Sequence, residues 1–398
     1  MTVKAPVAWA VNRGSGASVL ILDGGYDRGH EDLPVVNAAT NCSGTYGGCD
    51  DGGTFYHGTQ MSAIAIGRDN TVGVVGVAPD VSTANYYSYG ACDNSGQCPW
   101  TDIQLGLQWA EDHMYGPQSV INMSLGTCAN NPATGTQIAA AWADGFVLVA
   151  SAGNLYSGSP CGAGALVYPA AFTNVLGVSG VIQSLALANN YTCTPPTSSG
   201  QGGSNYGPHV DLTAPFEALS AKAAPSGYEI NCGTSPAAAH VTGVAALVRS
   251  ANPGWSNLQV VNRLISTAKD LGASGRDDSF GYGLVDAASA LGIVAPTMTA
   301  AVVAQKPFLT WPAIPGAASY NIYRRVNYSQ AQYVLWATVT GLSYTGIGTK
   351  VSSFNGYNTL PPSPTVSVSY YVTAVTSTGY ETGSSSFGTF IPIGIPPQ

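Results

Sequence analysis

Ser235 stands in NCGTSPAAAHVTGVAALV, two residues after a glycine and at the mouth of a long run of small and apolar residues. A serine at a helix N-terminus has its oxygen beside unpaired N–H groups, which favour developing negative charge. The same position suits a plain N-cap, so the serine alone does not decide the matter. A serine nucleophile also needs a base, an acid to orient that base, and donors for an oxyanion. The chain has five histidines: His30, His57, His113, His209 and His240. His113 ends an amphipathic stretch beside acidic residues, where a solvated role suffices. His240 follows Ser235 by five residues on the same expected helix and points away from it. His57 opens HGTQMSAIAIG, a small-residue helix that would hold an imidazole rigidly at its top. Asp23 closes the apolar run VLILD, where a buried carboxylate can orient His57.

Chain order narrows the choice. The order Ser, acid, His fails, because His240 is the sole histidine after Ser235 and no acid lies between them. The order His, Asp, Ser belongs to all-β enzymes, and the texture here is not all-β. The order Asp, His, Ser remains, with Asp23, His57 and Ser235.

The elements that must position these residues are legible in residues 1–294. SVLILD, VINMSLG, FVLVASAGN and VLGVSGV read as strands, and TQMSAIAIG, DIQLGLQWAEDHM, TQIAAAWADG and PAAAHVTGVAALVRSA as helices. Continuous apolar strands alternating with helices imply an α/β fold, a mostly parallel sheet with helices on both faces. Ligands on such sheets bind beyond the carboxyl ends of the strands, and Asp23, Gly126 and Asn154 each follow a strand-like run. From Pro296 the texture changes to short alternating runs rich in Thr, Ser, Tyr and Pro. Residues 295–398 are therefore expected to form a separate all-β antiparallel sandwich. Its aromatics, among them Trp311, Tyr320, Tyr323, Trp336, Tyr370 and Tyr371, fit a sandwich core better than a binding face.

Composition excludes several classes. The 398 residues include only 13 Lys and Arg against a net charge of −8, so a phosphate-binding surface, and with it a nucleic-acid partner, is not expected. No apolar run approaches the roughly 18–20 residues of a membrane helix. Charged residues are 9%, but 45% apolar residues supply ample core. The eight cysteines, Cys42, Cys49, Cys92, Cys98, Cys128, Cys161, Cys193 and Cys232, lack metal-finger spacing and read as disulfides. The simplest pairing joins near neighbours: Cys42–Cys49, Cys92–Cys98, Cys128–Cys161 and Cys193–Cys232. Disulfides imply an oxidising, extracellular setting. The start, MTVKAPVAWAV, has no signal-peptide pattern, so a precursor segment removed ahead of it is expected.

Taken together, VLILDGGYDRGHEDL, HGTQMSA and CGTSPAAAHVTG resemble the Asp, His and Ser segments of subtilisin-like serine proteases. NTVGVVGVAP, VINMSLG, ASAGN, VYPAAFTNVLGVSGV, SNYGPHVDLTAP and GYGLVDA fall between and after them in that family's order. LTW…PGAASYNIYRR and YYVTAVTSTGYETG resemble fibronectin type III modules. The first resemblance implies a secreted serine endopeptidase acting on protein or peptide substrates as a monomer, matured from a pro-segment, with no cofactor for catalysis. The alternative is a catalytically impaired subtilisin-like protein that binds peptides or serves in adhesion. Asn154 matches the family's oxyanion asparagine, with the Ser235 backbone N–H as second donor. Ser124, Leu125 and Gly126 resemble one wall of its substrate cleft, and Ala150, Ser151 and Ala152 the other. Val167 matches the pocket floor, where it would shorten the pocket. Asp32 and Asn70, in the loop Asp69–Val74, resemble a structural calcium site. Three departures stand out: Gly24 removes a hydroxyl usual beside the Asp, Gln60–Met61 replaces His-Val, and Pro236 follows the serine. Proline disfavours an α conformation at the residue before it, so Ser235 is where geometry is most at risk.

Overall fold

The computed structural model describes residues 3–46, 56–156, 159–189, 191–192, 201–222, 227–294, 296–327, 333–346, 351–357, 367–377, 379, 381–382, 385 and 388–392. The chain divides into two compact units, one of residues 1–5 and 12–291, the other of residues 6–11 and 292–398.

The first unit is built on a seven-stranded sheet in the order Leu212–Pro215, Val175–Val181, Val147–Ser151, Ser119–Met123, Ser18–Asp23, Tyr86–Gly90, Cys42–Gly44. Every pairing in it is parallel. Parallel strands buried on both faces need apolar side chains at every position rather than at alternate ones. Val19, Leu20, Ile21 and Leu22 meet that need and are all wholly buried. Leu20, Leu22, Ile121, Met123, Leu148 and Ala150 pack on one face against Ile103, Leu107, Ile138 and Ala141 of the helices Trp100–His113 and Pro132–Ala143. The Thr234–Ala251 helix lies against the same central strands, and alternation along each strand sends the remaining residues to its face.

Two helices enter this core with almost no exposed side. His57–Ile66 buries every residue after His57, and Thr234–Ala251 buries most of its length. Small residues permit this, because they let backbones approach closely. A Cβ at Gly243 would lie 2.9 Å from the Ala65 carbonyl oxygen and 2.5 Å from Val77 Cβ. Gln60 meets Asn231 just before the second helix begins, and Ala65 faces Gly243 further along, so the two helices run side by side and start at the same end. An antiparallel hairpin, Glu217–Lys222 with Gly227–Cys232, leads into the second helix. The alternation of strands and helices in the sequence does not disclose it.

In the second unit all pairings are antiparallel. One sheet has the order Thr299–Val303, Lys306–Thr310, Ser343–Thr345. The other has the order Val334–Val339, Ala317–Asn327, Ser367–Thr376, Gly388–Pro392, Val351–Tyr357. Trp311, Tyr320 and Tyr370 are core residues here, as strand aromatics usually are, whereas Trp336 is 42% exposed. No helix among the described residues is long and apolar enough to cross a membrane.

Candidate active site

Three neighbouring strands bring chemistry to one edge of the sheet. Ser18–Asp23 ends in Asp23, Ser119–Met123 leads into Ser124, and Val147–Ser151 leads through Gly153 to Asn154. The Asp23 carboxylate is wholly buried. Its Oδ1 accepts the Gly24 N–H at 2.7 Å, so the backbone supplies a bond although residue 24 has no side chain. Both carboxylate oxygens face His57 Nδ1, at 2.8 and 3.0 Å. A carboxylate can only accept, so Nδ1 carries the hydrogen and Nε2 is left as the acceptor of a neutral imidazole. The His57 helix can start this close to the strand because residue 58 is glycine: a Cβ there would lie 2.6 Å from the Gly25 carbonyl oxygen. Thr59 Oγ1 accepts the Asp27 N–H at 2.9 Å and ties the same loop to the helix. Gln60 accepts from Asn231 Nδ2 and donates to Glu229 Oε1 at 2.6 Å, so this residue anchors the His57 helix to the hairpin that precedes Ser235.

Ser235 lies in the first turn of its helix, after Gly233 at φ 145°. Its Oγ donates to the Ser124 carbonyl at 3.1 Å, and Ser124 Oγ donates to the Ser235 carbonyl at 3.0 Å. Asn154 Oδ1 accepts from Thr234 N at 2.8 Å and Thr234 Oγ1 at 3.0 Å. The oxygen of that amide is thereby spent, and the N–H₂ end is left for another acceptor. Gly233 leaves room for it, since a Cβ there would come within 3.1 Å of Asn154 Nδ2.

Beside Ser235 and Asn154 is a pocket of about 180 Å³. Ser124, Leu125 and Gly126 line it, with Ser151 and Val167. Ala150 and Ala152, expected in the second wall, are instead wholly buried and do not line it. Ala152 contributes through its carbonyl, which accepts from His209 Nε2 at 3.1 Å and Asn205 Nδ2 at 3.3 Å. Val167 lies between the walls: Cβ atoms built on Gly126 and Gly153 would meet its methyl groups at 2.7 and 2.9 Å. Among the described residues no charged side chain lines this pocket.

The Subtilase family profile matches residues 14–283. The chain belongs to the Subtilase family. Among relatives, Alkaline elastase YaB of Bacillus sp. (strain YaB) is 34% identical over 302 residues, 73% of this chain and 71% of that protein. Subtilisin DY of Bacillus licheniformis is 35% identical over 271 residues, covering 68% and 88%. Subtilisin Savinase of Lederbergia lenta is 34% identical over 291 residues, covering 72% and 96%. The crystal structure of the psychrophilic subtilisin-like protease Apa1 from Pseudoalteromonas sp. AS-11 shares the fold. Its TM-score is 0.57 at 20% identity, covering 73% of this chain and 96% of that one. This subtilase is accordingly a serine endopeptidase.

Several pocket residues of this subtilase escaped the sequence reading. Tyr156, Ser159, Pro160 and Asn205 reach the pocket from loops whose course no periodicity discloses. Asn205 joins those loops: its Oδ1 accepts from Gly164 N at 3.0 Å and its Nδ2 donates to the Ala165 carbonyl at 2.9 Å. The cysteines need one correction. Cys92 and Cys98 are bonded as expected. Cys42 and Cys232 are also in disulfides, and their expected partners Cys49 and Cys193 lie outside the described residues. Cys128 and Cys161, expected to be joined, are free thiols. The Cys128 sulfur is turned to the Pro160 carbonyl, to which it donates at 3.3 Å. Burial, reinforced by the neighbouring Cys128 thiol, pushes Cys161 up to about 11. Asp32 is wholly buried, and its Oδ2 accepts from Val74 N at 2.7 Å while Oδ1 has no hydrogen-bond partner among the described residues. Asn70 accepts from Val72 N and donates to the Glu31 carbonyl at 2.8 Å.

His240 sits one turn beyond Ser235, where its Nδ1 donates to the Pro236 carbonyl at 2.7 Å. Burial pulls its pKa down to about 4, and that hydrogen bond opposes the shift in part. The unfolded chain takes up this proton near 6.5, whereas the folded chain resists it until about 4. The resulting stability is complete above pH 6.5 and is lost as pH falls through 4. Urea unfolding at pH 7.5 and 4.5 should show His240→Gln losing about 1–3 kcal/mol less than the parent chain over that interval. Equal losses in both chains would contradict this.

Proposed function

We propose that Ser235 is the nucleophile of this endopeptidase, His57 its base and then its acid, and Asp23 the carboxylate that orients His57. The observation that carries this reading is the contact of the buried Asp23 carboxylate with His57 Nδ1, which determines the nitrogen left to act on serine. The Ser235 hydroxyl, which donates to the Ser124 carbonyl at 3.1 Å, must turn its hydrogen to His57 Nε2, which takes the proton as Oγ attacks the scissile carbonyl carbon. Asn154 Nδ2 and the Ser235 N–H, one of the unpaired donors of the first helical turn, meet the oxyanion. Asp23 stabilises the imidazolium without taking its proton. The tetrahedral intermediate expels the amine, which receives the proton from His57 and leaves an acyl-Ser235 ester. Water, deprotonated by His57 in turn, attacks that ester and releases the carboxylic acid and free Ser235. No metal or organic cofactor takes part in these steps.

An extended peptide adds as a strand along Ser124–Gly126 and seats the side chain before the scissile bond in the Val167 pocket. At about 180 Å³, with no acidic side chain among its described lining residues to pair a base, that pocket favours small, uncharged side chains. The enzyme works outside the cell, a reading supported by the disulfides at Cys42, Cys92–Cys98 and Cys232. Residues 295–398 act as a module for substrate or surface binding, and their antiparallel sheets support the fibronectin type III-like architecture of that module. A structural calcium belongs at Asp32 and Asn70. The support for it is Asp32 Oδ1, a buried oxygen with no hydrogen-bond partner among the described residues, beside a loop whose carbonyls are suitable hard ligands.

An organophosphonate should label the full chain and a chain ending at residue 294 once each, on Ser235. Ser235→Ala should take no label and lose about 10⁴-fold or more in turnover. Labelled or active Ser235→Ala would end the assignment, and an unlabelled but folded short chain would end the division of labour. Val167→Gly should shift kcat/KM on a peptide library by about tenfold or more towards aromatic residues before the cleaved bond. An unchanged profile would remove Val167 from the pocket floor. Thermal unfolding in calcium and in chelator should differ by several degrees, and coincident curves would dismiss the ion.

A further inference from the structure

We infer that Thr242 and Asn122 are positioning residues for Ser235, an inference that rests on Ser235 being the nucleophile. Thr242 lies seven residues beyond Ser235 in the same helix, two turns on and on the same face. It is wholly buried, as is Asn122 in the neighbouring strand. Thr242 Oγ1 donates to Asn122 Oδ1 at 3.0 Å, and Asn122 Nδ2 donates to Ser124 Oγ at 2.9 Å. Ser124 Oγ donates to the Ser235 carbonyl at 3.0 Å, while Ser235 Oγ donates to the Ser124 carbonyl at 3.1 Å.

The direction of this relay is forced. Ser124 has one hydroxyl hydrogen, and the Ser235 carbonyl, which can only accept, takes it. Asn122 must then present its N–H₂ to Ser124, which turns its oxygen to Thr242. The Thr242 hydroxyl satisfies that buried oxygen and so holds the amide in the orientation the relay needs.

Ser235 has a particular need for such a hold. Pro236 biases the residue before it away from the α conformation, yet Ser235 lies in the first turn of the helix. The Ser124 hydroxyl on the Ser235 carbonyl resists a swing of the Ser235–Pro236 peptide. Small displacements of a nucleophile lower turnover far more than they lower binding. Threonine is also a poor helix former, so a buried one at this position is explained by its hydroxyl.

The test compares kcat and KM on a short peptide for Thr242→Val and Thr242→Ser, alone and combined with Pro236→Ala, with Ser235→Ala as control. Thr242→Val removes the hydroxyl at constant shape and should lower kcat about tenfold with KM unchanged. Thr242→Ser keeps the hydroxyl and should restore kcat, and the loss should shrink when Pro236→Ala relieves the bias. Should Thr242→Val not fold, Thr242→Ala serves with the same expected loss. A hydroxyl with only a structural role would change the melting temperature and leave kcat alone, which overturns the inference. So does an equal loss with valine and serine. If Ser235→Ala stays active, the nucleophile assignment falls; if it is inactive while Thr242→Val turns over normally, the relay alone falls.

Discussion

A carboxylate removed from water costs several kcal/mol unless charge and hydrogen bonds replace its hydration. Asp23 is wholly buried, and the Gly24 N–H and the His57 imidazole take the place of that water. The arrangement around it follows from this need. The strand must end at Asp23 so that the next backbone N–H can turn inward. The His57 helix must begin close by, and Gly58 allows it to. Gln60 then carries the position of this helix to the hairpin ahead of Ser235. The orientation of the imidazole is thus a consequence of solvating one buried charge.

The other half of the site is governed by spent and unspent hydrogen bonds. Asn154 has one carbonyl oxygen, and Thr234 occupies it twice. Its N–H₂ is thereby offered to whatever lies on the other side. Ser124 and Ser235 exchange bonds between side chain and backbone, and that exchange continues inward to Asn122 and Thr242. These groups lie in a low-dielectric interior, where each bond is strong and each unmade bond is costly. A pocket assembled in this way is rigid before a ligand arrives, which is the condition for electrostatic stabilisation of a transition state.

Burial patterns along single elements were plain in the sequence. The unbroken apolar run Val19–Leu22 announces a strand covered on both faces, and small residues from His57 to Ile66 announce a buried helix. Such patterns are local: side-chain chemistry at a fixed period is enough to read them. The same texture separated an α/β region from a region of short alternating strands. It also placed Asp23 and Asn154 just after strand-like runs and His57 and Ser235 at helix starts; chain order then joined Asp23, His57 and Ser235, and the resemblance to subtilisin-like proteases added Asn154.

What the tertiary structure alone decided are the meetings between segments far apart in the chain. Ala150 and Ala152 were expected in a cleft wall but are wholly buried, Ala150 in the core cluster on the sheet and Ala152 just past the strand end, where His209 and Asn205 reach its carbonyl. Cys128 and Cys161 have the spacing of a staple, yet one sulfur is turned to the Pro160 carbonyl and no bond forms. Tyr156, Ser159 and Asn205 reach the pocket on loops that carry no period. Thr242 carries no local signal of a partner, and its bond is to Asn122, 120 positions earlier in the chain. Local sequence determines which faces must be buried, through the free energy of taking each side chain out of water. Which partner waits on the other side depends on how the whole chain packs, and hydrogen bonds with short range and strict direction exist only once that packing is complete.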